Sequence, residues 1–344
     1  EGSGTDYVPS SDGTTGTTTY GSQVTVEGTY SYTGGVCGIG YGLFADIQVT
    51  GVRVSGRTYV GGVSGTSNQG VNERITVGSI DYVDGDNEQV PYSVEITASS
   101  NYAAGISAYA TNGYNTTRNY YDDVNVQGVR ISAVNYTGGV GTTNIQVVNS
   151  LVDGCHIVSS SAYAGGIGST WDTARNTTVR NSYIQAGSER AGGIGGYAVG
   201  AYDCILYNNT VVAASYAGGV MGRSYNTVIQ NCSVTDCTVG TESTMYAGGL
   251  LGGSISDSSN DYFAYIYNSF SKDTEVIADM GAGGIVGHAQ GGRYLEVYSN
   301  AEVTARERAG GFAGEGTGYI MNNSAYRRME LKHFYFAGKV NVTM

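Results

Sequence analysis

Short runs of alternating apolar and polar residues recur along this chain: Val24-Thr25-Val26, Ile47-Gln48-Val49, Val52-Arg53-Val54 and Val124-Asn125-Val126. Their apolar members are β-branched, and a period of two puts them on one face of a strand. No window carries apolar residues at i, i+3, i+4 and i+7 through three turns, so the pattern predicts strands and no helix. Only two prolines interrupt 344 residues, as expected where most backbone N–H groups are paired.

A second pattern stands between the runs: a glycine pair followed by an apolar residue. It reads Tyr32-Thr33-Gly34-Gly35-Val36, Tyr59-Val60-Gly61-Gly62-Val63, Tyr136-Thr137-Gly138-Gly139-Val140 and Tyr163-Ala164-Gly165-Gly166-Ile167. It returns at Ala191-Gly192-Gly193-Ile194, Tyr216-Ala217-Gly218-Gly219-Val220, Tyr246-Ala247-Gly248-Gly249-Leu250, Ala282-Gly283-Gly284-Ile285 and Ala309-Gly310-Gly311-Phe312. A worn copy lies at Tyr102-Ala103-Ala104-Gly105-Ile106, and Phe336-Ala337-Gly338-Lys339-Val340 reads as the last.

Counted on the first glycine, the step is 27 residues from Gly34 to Gly61, from Gly138 to Gly165, from Gly165 to Gly192 and from Gly283 to Gly310. Midway between pairs an asparagine recurs, at Asn149, Asn181, Asn208, Asn231, Asn268 and Asn322. A fixed step of this length marks one coil of a repeat. The predicted fold is a single all-β domain, a β-solenoid (β-helix) of about 10–11 coils in parallel stacking, with three short strands per coil. At about 4.8 Å per coil the rod would be roughly 50 Å long.

Residues 1–19, rich in Gly, Ser and Thr, read as a linker or N-terminal arm, and 20–344 as the solenoid. Loop insertions are expected at 66–101 and 253–265.

Stacking turns sequence positions into columns. The apolar residues Val36, Val63, Ile106, Val140, Ile167, Ile194, Val220, Leu250, Ile285, Phe312 and Val340 are predicted to form one inward row. Gly34, Gly61, Gly138, Gly165, Gly192, Gly218, Gly248, Gly283 and Gly310 would turn a corner at positive φ or let backbone pack on backbone. Two residues before each pair stand Tyr32, Tyr59, Tyr102, Tyr136, Tyr163, Tyr216 and Tyr246, with Arg190 and Arg308 in other coils. This column could stack on itself, or offer a flat strip to sugar rings or to a neighbouring rod. The asparagine column would hydrogen-bond from coil to coil.

The recurrent Ala-Gly-Gly-Ile/Val-x-Gly followed by an Asn-Ser/Cys run resembles the GLUG-motif repeats of bacterial surface proteins, over about residues 20–344. The resemblance implies an extracellular or cell-surface location and a structural or binding role. It supplies no catalytic residues.

Composition narrows the function further. The net charge of −12 argues against a nucleic-acid footprint and against docking on anionic lipid. No run of about 18 apolar residues exists, so no membrane insertion is expected. The chain opens on Glu1 and reads as a mature or excised segment.

The five cysteines form no evident disulfide framework. Cys155 and Cys237 share a register three coils apart, beyond bridging distance, while Cys232 and Cys237 could bridge one corner. Asp84-x-Asp86-x-Glu88 offers the alternating oxygens of half a calcium loop, yet lacks the full pattern; no metal and no cofactor is expected. There is no Gly-x-Ser-x-Gly elbow, phosphate loop or His-Glu-x-x-His. Asp46, Asp153 and Asp203 have spacings that could line a groove, without a supporting Lys or His.

The reading is therefore a non-enzymatic extracellular structural or adhesive protein: a stalk, an adhesin repeat region, or a subunit stacking end to end into a filament. Its partners would be further repeats, other copies of itself, or a glycan or host-surface ligand. The alternative is a carbohydrate-binding or polysaccharide-degrading β-helix.

Overall fold

The computed structural model describes residues 24–79, 92–111, 119–170, 172–223, 226–254, 264–316 and 329–343. One regular coil shows how the sequence winds. Its strands are Tyr163–Gly165, Gly168–Thr170, Thr173–Arg175, Thr178–Arg180 and Tyr183–Ala186. Ala164, Ala174, Val179 and Ile184 are the central inward residues of four of them, and all are fully buried. The coil thus has five short strands rather than three, because it bends every three or four residues.

Each strand pairs in parallel with its equivalent one coil later, as in Tyr163↔Arg190, Thr173↔Gly200, Thr178↔Ile205 and Tyr183↔Thr210. The pairings gather into sheets of 11, 16, 10 and 6 strands, and no helix occurs among the described residues. The β-solenoid expected from the repeat is the fold observed. Its core is a set of rows. In the 11-stranded sheet Val26, Val54, Ile96, Ile131, Ile157, Ile184, Val211, Val239, Val276 and Val303 stand in register. The row after the glycine pair is fully buried from Val63 through Ile285. Full burial of such a side chain is worth about 1.5–3 kcal/mol. The same row carries a backbone ladder: Ile167 N–H donates to Ile194 O at 3.0 Å, and Ile194 N–H to Val220 O at 2.8 Å.

The glycine pairs answer a question of space. None of them has positive φ. A Cβ on Gly165 would strike the carbonyl oxygen of Gly168, three residues ahead in the same tight bend. A Cβ on Gly166 would strike the carbonyl oxygen of Gly193, its equivalent one coil on. Gly34, Gly61, Gly138, Gly192, Gly218, Gly248, Gly283 and Gly310 meet the same obstacle as Gly165.

Most positive-φ residues stand at two other corners. One column runs Asp46, Arg74, Asp123, Asn149, Asn176, Asp203, Asn231, Asn268 and Glu296, with φ between 44 and 57°. The other runs Gly51, Gly128, Gly154, Asn181, Asn208, Asp236 and Asp273, with Gly78 one position before it. Asn, Asp and Gly dominate because they tolerate the left-handed region best. The single asparagine column read from the sequence is therefore two. Asn149, Asn231 and Asn268 belong to the first and Asn181 and Asn208 to the second; Asn322 lies outside the described residues.

Coil-to-coil amide bonds form as expected. Asn176 Nδ2 donates to Asn149 Oδ1 at 2.7 Å, Asn268 Nδ2 to Asn231 Oδ1 at 2.9 Å, and Asn208 Nδ2 to Asn181 Oδ1 at 2.9 Å.

Two further expectations are corrected. Phe336-Ala337-Gly338-Lys339-Val340 is not a glycine-pair coil. Tyr335–Phe336 pairs with Tyr298 and Ser299, and Val340 pairs with Val303 in the 11-stranded sheet. Val340 thus leaves the predicted row, and the shared spacing was coincidental. Second, most of 66–101 follows the ordinary winding, since Ser64–Gly78 is one strand in register with its neighbours. Extra length remains between Gly78 and Val94, which contains the Asp84–Glu88 loop outside the described residues. All five cysteines are free, Cys232 and Cys237 included, in line with the absence of a disulfide framework read from the sequence.

Candidate functional site

The residue that opens each strand of the 10-stranded sheet points away from the core, because its successor points inward. In register these residues are Tyr32, Tyr59, Tyr102, Tyr136, Tyr163, Arg190, Tyr216, Tyr246, Gly281 and Arg308. The predicted column is real, with Gly281 as a member the motif did not include.

Its rings stack on one another. Centroids are 5.0 Å apart for Tyr32–Tyr59 and for Tyr59–Tyr102, 4.7 Å for Tyr102–Tyr136 and 5.4 Å for Tyr136–Tyr163. The first three pairs are within 12° of parallel. Tyr216 and Tyr246 continue the stack at 5.5 Å. Such pairs contribute about 0.5–1.5 kcal/mol each beyond burial. The consequence for binding is direct: inside the stack each ring's faces are covered by its neighbours, so the column presents ring edges and hydroxyls. Self-stacking is the role the geometry gives to Tyr32 through Tyr163.

A second column flanks the first. Five residues after the first glycine of successive pairs come Thr170, Tyr197, Arg223, Gly253, His288 and Glu315. Parallel pairing joins Thr170 to Tyr197, Arg223 to Gly253, Gly253 to His288 and His288 to Glu315. The sequence reading missed this column. The constant offset of five from the glycine pair is the signal that finds it, although its residue types vary.

The two columns meet in the later coils. Arg190 Cζ lies 5.0 Å from the Tyr163 ring centroid and 4.8 Å from that of Tyr197. Arg223 Cζ lies 5.8 Å from the Tyr216 centroid. Tyr246 Oη donates to Glu315 Oε2 at 2.9 Å, and Arg308 Nη2 lies 3.3 Å from the same oxygen. The Tyr246 and His288 rings are 4.7 Å apart.

These environments move protons. Burial, and then a hydrogen bond to Glu189, pushes the Tyr163 phenol up to about 12. Burial and Glu315 do the same for Tyr246. Burial lowers the His288 imidazole, so its neutral form is favoured. Burial and then the nearby Arg190 lower the Arg223 guanidinium.

The three carboxylates picked by spacing do not converge. Asp46 accepts from Arg74 Nε at 2.7 Å at an exposed corner. Asp153 is buried and accepts from Arg180 Nε and from Asn181 Nδ2, both at 2.8 Å. Asp203 sits at positive φ and accepts from Asn231 Nδ2 at 2.9 Å. Each is committed to holding adjacent coils together.

No protein-family model and no curated protein matches this chain. Among solved structures, it is similar to a proposed immunoglobulin A1 protease from Bacteroides ovatus, with 19% identity over 81% of this chain and 78% of that one, at a TM-score of 0.41. It is also similar to the A-module of a mannuronan C-5 epimerase from Azotobacter vinelandii, with 10% identity over 89% of this chain and 91% of that one, at a TM-score of 0.25.

Proposed function

We propose that this chain is a non-enzymatic structural segment of an extracellular or cell-surface protein, a rigid stalk or adhesin repeat region built as a β-solenoid. The observation that carries the reading is where the polar side chains are spent. The ring stack, the two corner columns and the ion pairs Arg53–Glu95, Arg74–Asp46, Arg180–Asp153, Arg293–Glu330 and Arg306–Asp279 bind one coil to the next, which is what a rigid rod requires. The resemblance to GLUG-motif repeats supports a surface location. Asp46, Asp153 and Asp203, the carboxylates a polysaccharide-degrading β-helix would draw on, are each held in coil-to-coil contacts.

The rod serves either as a single stretch of stalk or as a subunit stacked end to end with other copies. The described end coils expose Val36, Ile39 and Leu43 on one side and Leu331, Val340 and Val342 on the other, which suits axial contact. Negative-stain images of the purified chain separate the two: fibres for stacking, single rods roughly 50 Å long for a stalk segment. Globular particles, or release of reducing ends from a panel of polysaccharides, would overturn the proposal. Protease shaving of intact cells tests the location, and the chain should be released.

A further inference from the structure

The ring stack is interrupted in one stretch, and its replacement is chemically distinctive. Arg190 takes a tyrosine's place between Tyr163 and Tyr216, and Arg223 stands one coil further on in the flanking column. Two guanidinium groups thus lie near one another on a chain whose net charge is −12.

Five other guanidinium groups are neutralised closely. Arg53, Arg74, Arg180, Arg293 and Arg306 each hold a carboxylate oxygen at 2.5–3.0 Å. Arg190 has a looser partner, Glu189 at 3.6 Å. Among the described residues Arg223 has no carboxylate within ion-pair distance, and its buried Nε has no hydrogen-bond partner.

A partly buried cation beside a second cation is costly unless an anion joins them. Both guanidiniums lie over tyrosine rings, Arg190 at Tyr163 and Tyr197 and Arg223 at Tyr216. A stacked guanidinium keeps its N–H donors in its own plane, available for a planar two-oxygen acceptor. A carboxylate matches that geometry. The tyrosine rings around it are partly exposed and combine apolar edge with hydroxyl, a surface suited to a sugar ring. A densely charged polyanion such as nucleic acid would be repelled by the acidic remainder of the chain.

From this arrangement we infer that Arg190 and Arg223, with Tyr163, Tyr197 and Tyr216, form a subsite for the carboxylate of an acidic saccharide. The inference deepens the adhesive part of the reading above by naming the class of ligand. It is independent of the rod itself, which the images test.

The test is calorimetric titration of the full chain, at low salt, with an oligogalacturonide, with sialyllactose and with a neutral oligosaccharide of matched length. At least one acidic sugar should bind, the neutral one should bind roughly tenfold more weakly or not at all, and the acidic arm that responds identifies the sugar. Arg223→Gln and Arg190→Gln should each weaken acidic-sugar binding by roughly tenfold or more. Arg223→Lys, which keeps charge but loses the fork, should fall between and covers the case in which Arg223→Gln folds poorly. Arg175→Gln, whose guanidinium stacks on Tyr202 in the 16-stranded sheet, should bind like wild type. Equal binding of neutral and acidic sugars, no binding of either acid at millimolar concentration, or undiminished binding by folded Arg190→Gln would overturn the inference.

Discussion

Replacing Gly166 by alanine tests the physical basis of the solenoid. The new methyl would meet the carbonyl oxygen of Gly193, with Val179 Cγ1 at 2.8 Å and Gly193 C at 3.2 Å. Two of these atoms are backbone of the next coil, so no rotamer change relieves the clash. The coils must part, against ladder bonds from Gly166 N–H to Gly192 O at 3.2 Å and from Ile167 N–H to Ile194 O at 3.0 Å. Weakening two such bonds costs about 1 kcal/mol each. Overpacking adds about 1–3 kcal/mol. The loss of unfolded-chain freedom on going from Gly to Ala returns about 0.5–1 kcal/mol. The net destabilisation is about 2–4 kcal/mol.

Because each coil contacts only its neighbours, that cost falls on one interface. A single unfolding free energy is poorly defined for such an array, so hydrogen exchange by mass spectrometry is the better assay. Protection should fall in peptides from Tyr163 to Ala213, and hold in Val52–Ala98. Gly154→Asn is the control. Gly154 has φ 62°, and Asn181 fills its place one coil on at φ 52°, so the change should stay within about 0.5 kcal/mol. Wild-type exchange and melting in Gly166→Ala would refute the claim that backbone contact dictates glycine here.

Asn181 holds a left-handed corner, donates to Asp153 and accepts from Asn208. Asn181→Ala should cost about 1–3 kcal/mol in urea melts, and Asn181→Gly less, since glycine restores the backbone conformation. Native alkylation followed by mass spectrometry should label Cys37 and spare the buried Cys155, Cys204, Cys232 and Cys237, with all five labelled in urea. The folded pKa of His288 lies below its unfolded value, so the unfolded chain takes up the proton first as pH falls. Stability from this group is intact above the unfolded pKa and lost through the folded one; between about pH 7 and 5, His288→Gln should show a smaller drop in urea midpoint than wild type.

The period-two runs and the recurrent glycine pair were enough to specify an all-β solenoid, its parallel stacking, its inward row and the tyrosine column. These depend on spacing alone, and stacking converts equal spacing into contact. Cys155 and Cys237 illustrate the same logic: their shared register is confirmed by the pairing of the strands on either side.

Tertiary structure decided what spacing cannot. A motif placed one corner away looks identical in sequence, which is why Asn149 and Asn181 fall in different columns and why Val340 joins Val303. Three strands became five because the chain also bends at the glycine pair and at two left-handed corners, and an asparagine does not announce its φ. Stacking of the tyrosine faces, and the approach of Arg190 and Arg223 to the rings beside them, follow from side-chain direction at neighbouring corners. That is a property of the wound chain, in which residues about 30 positions apart become nearest neighbours.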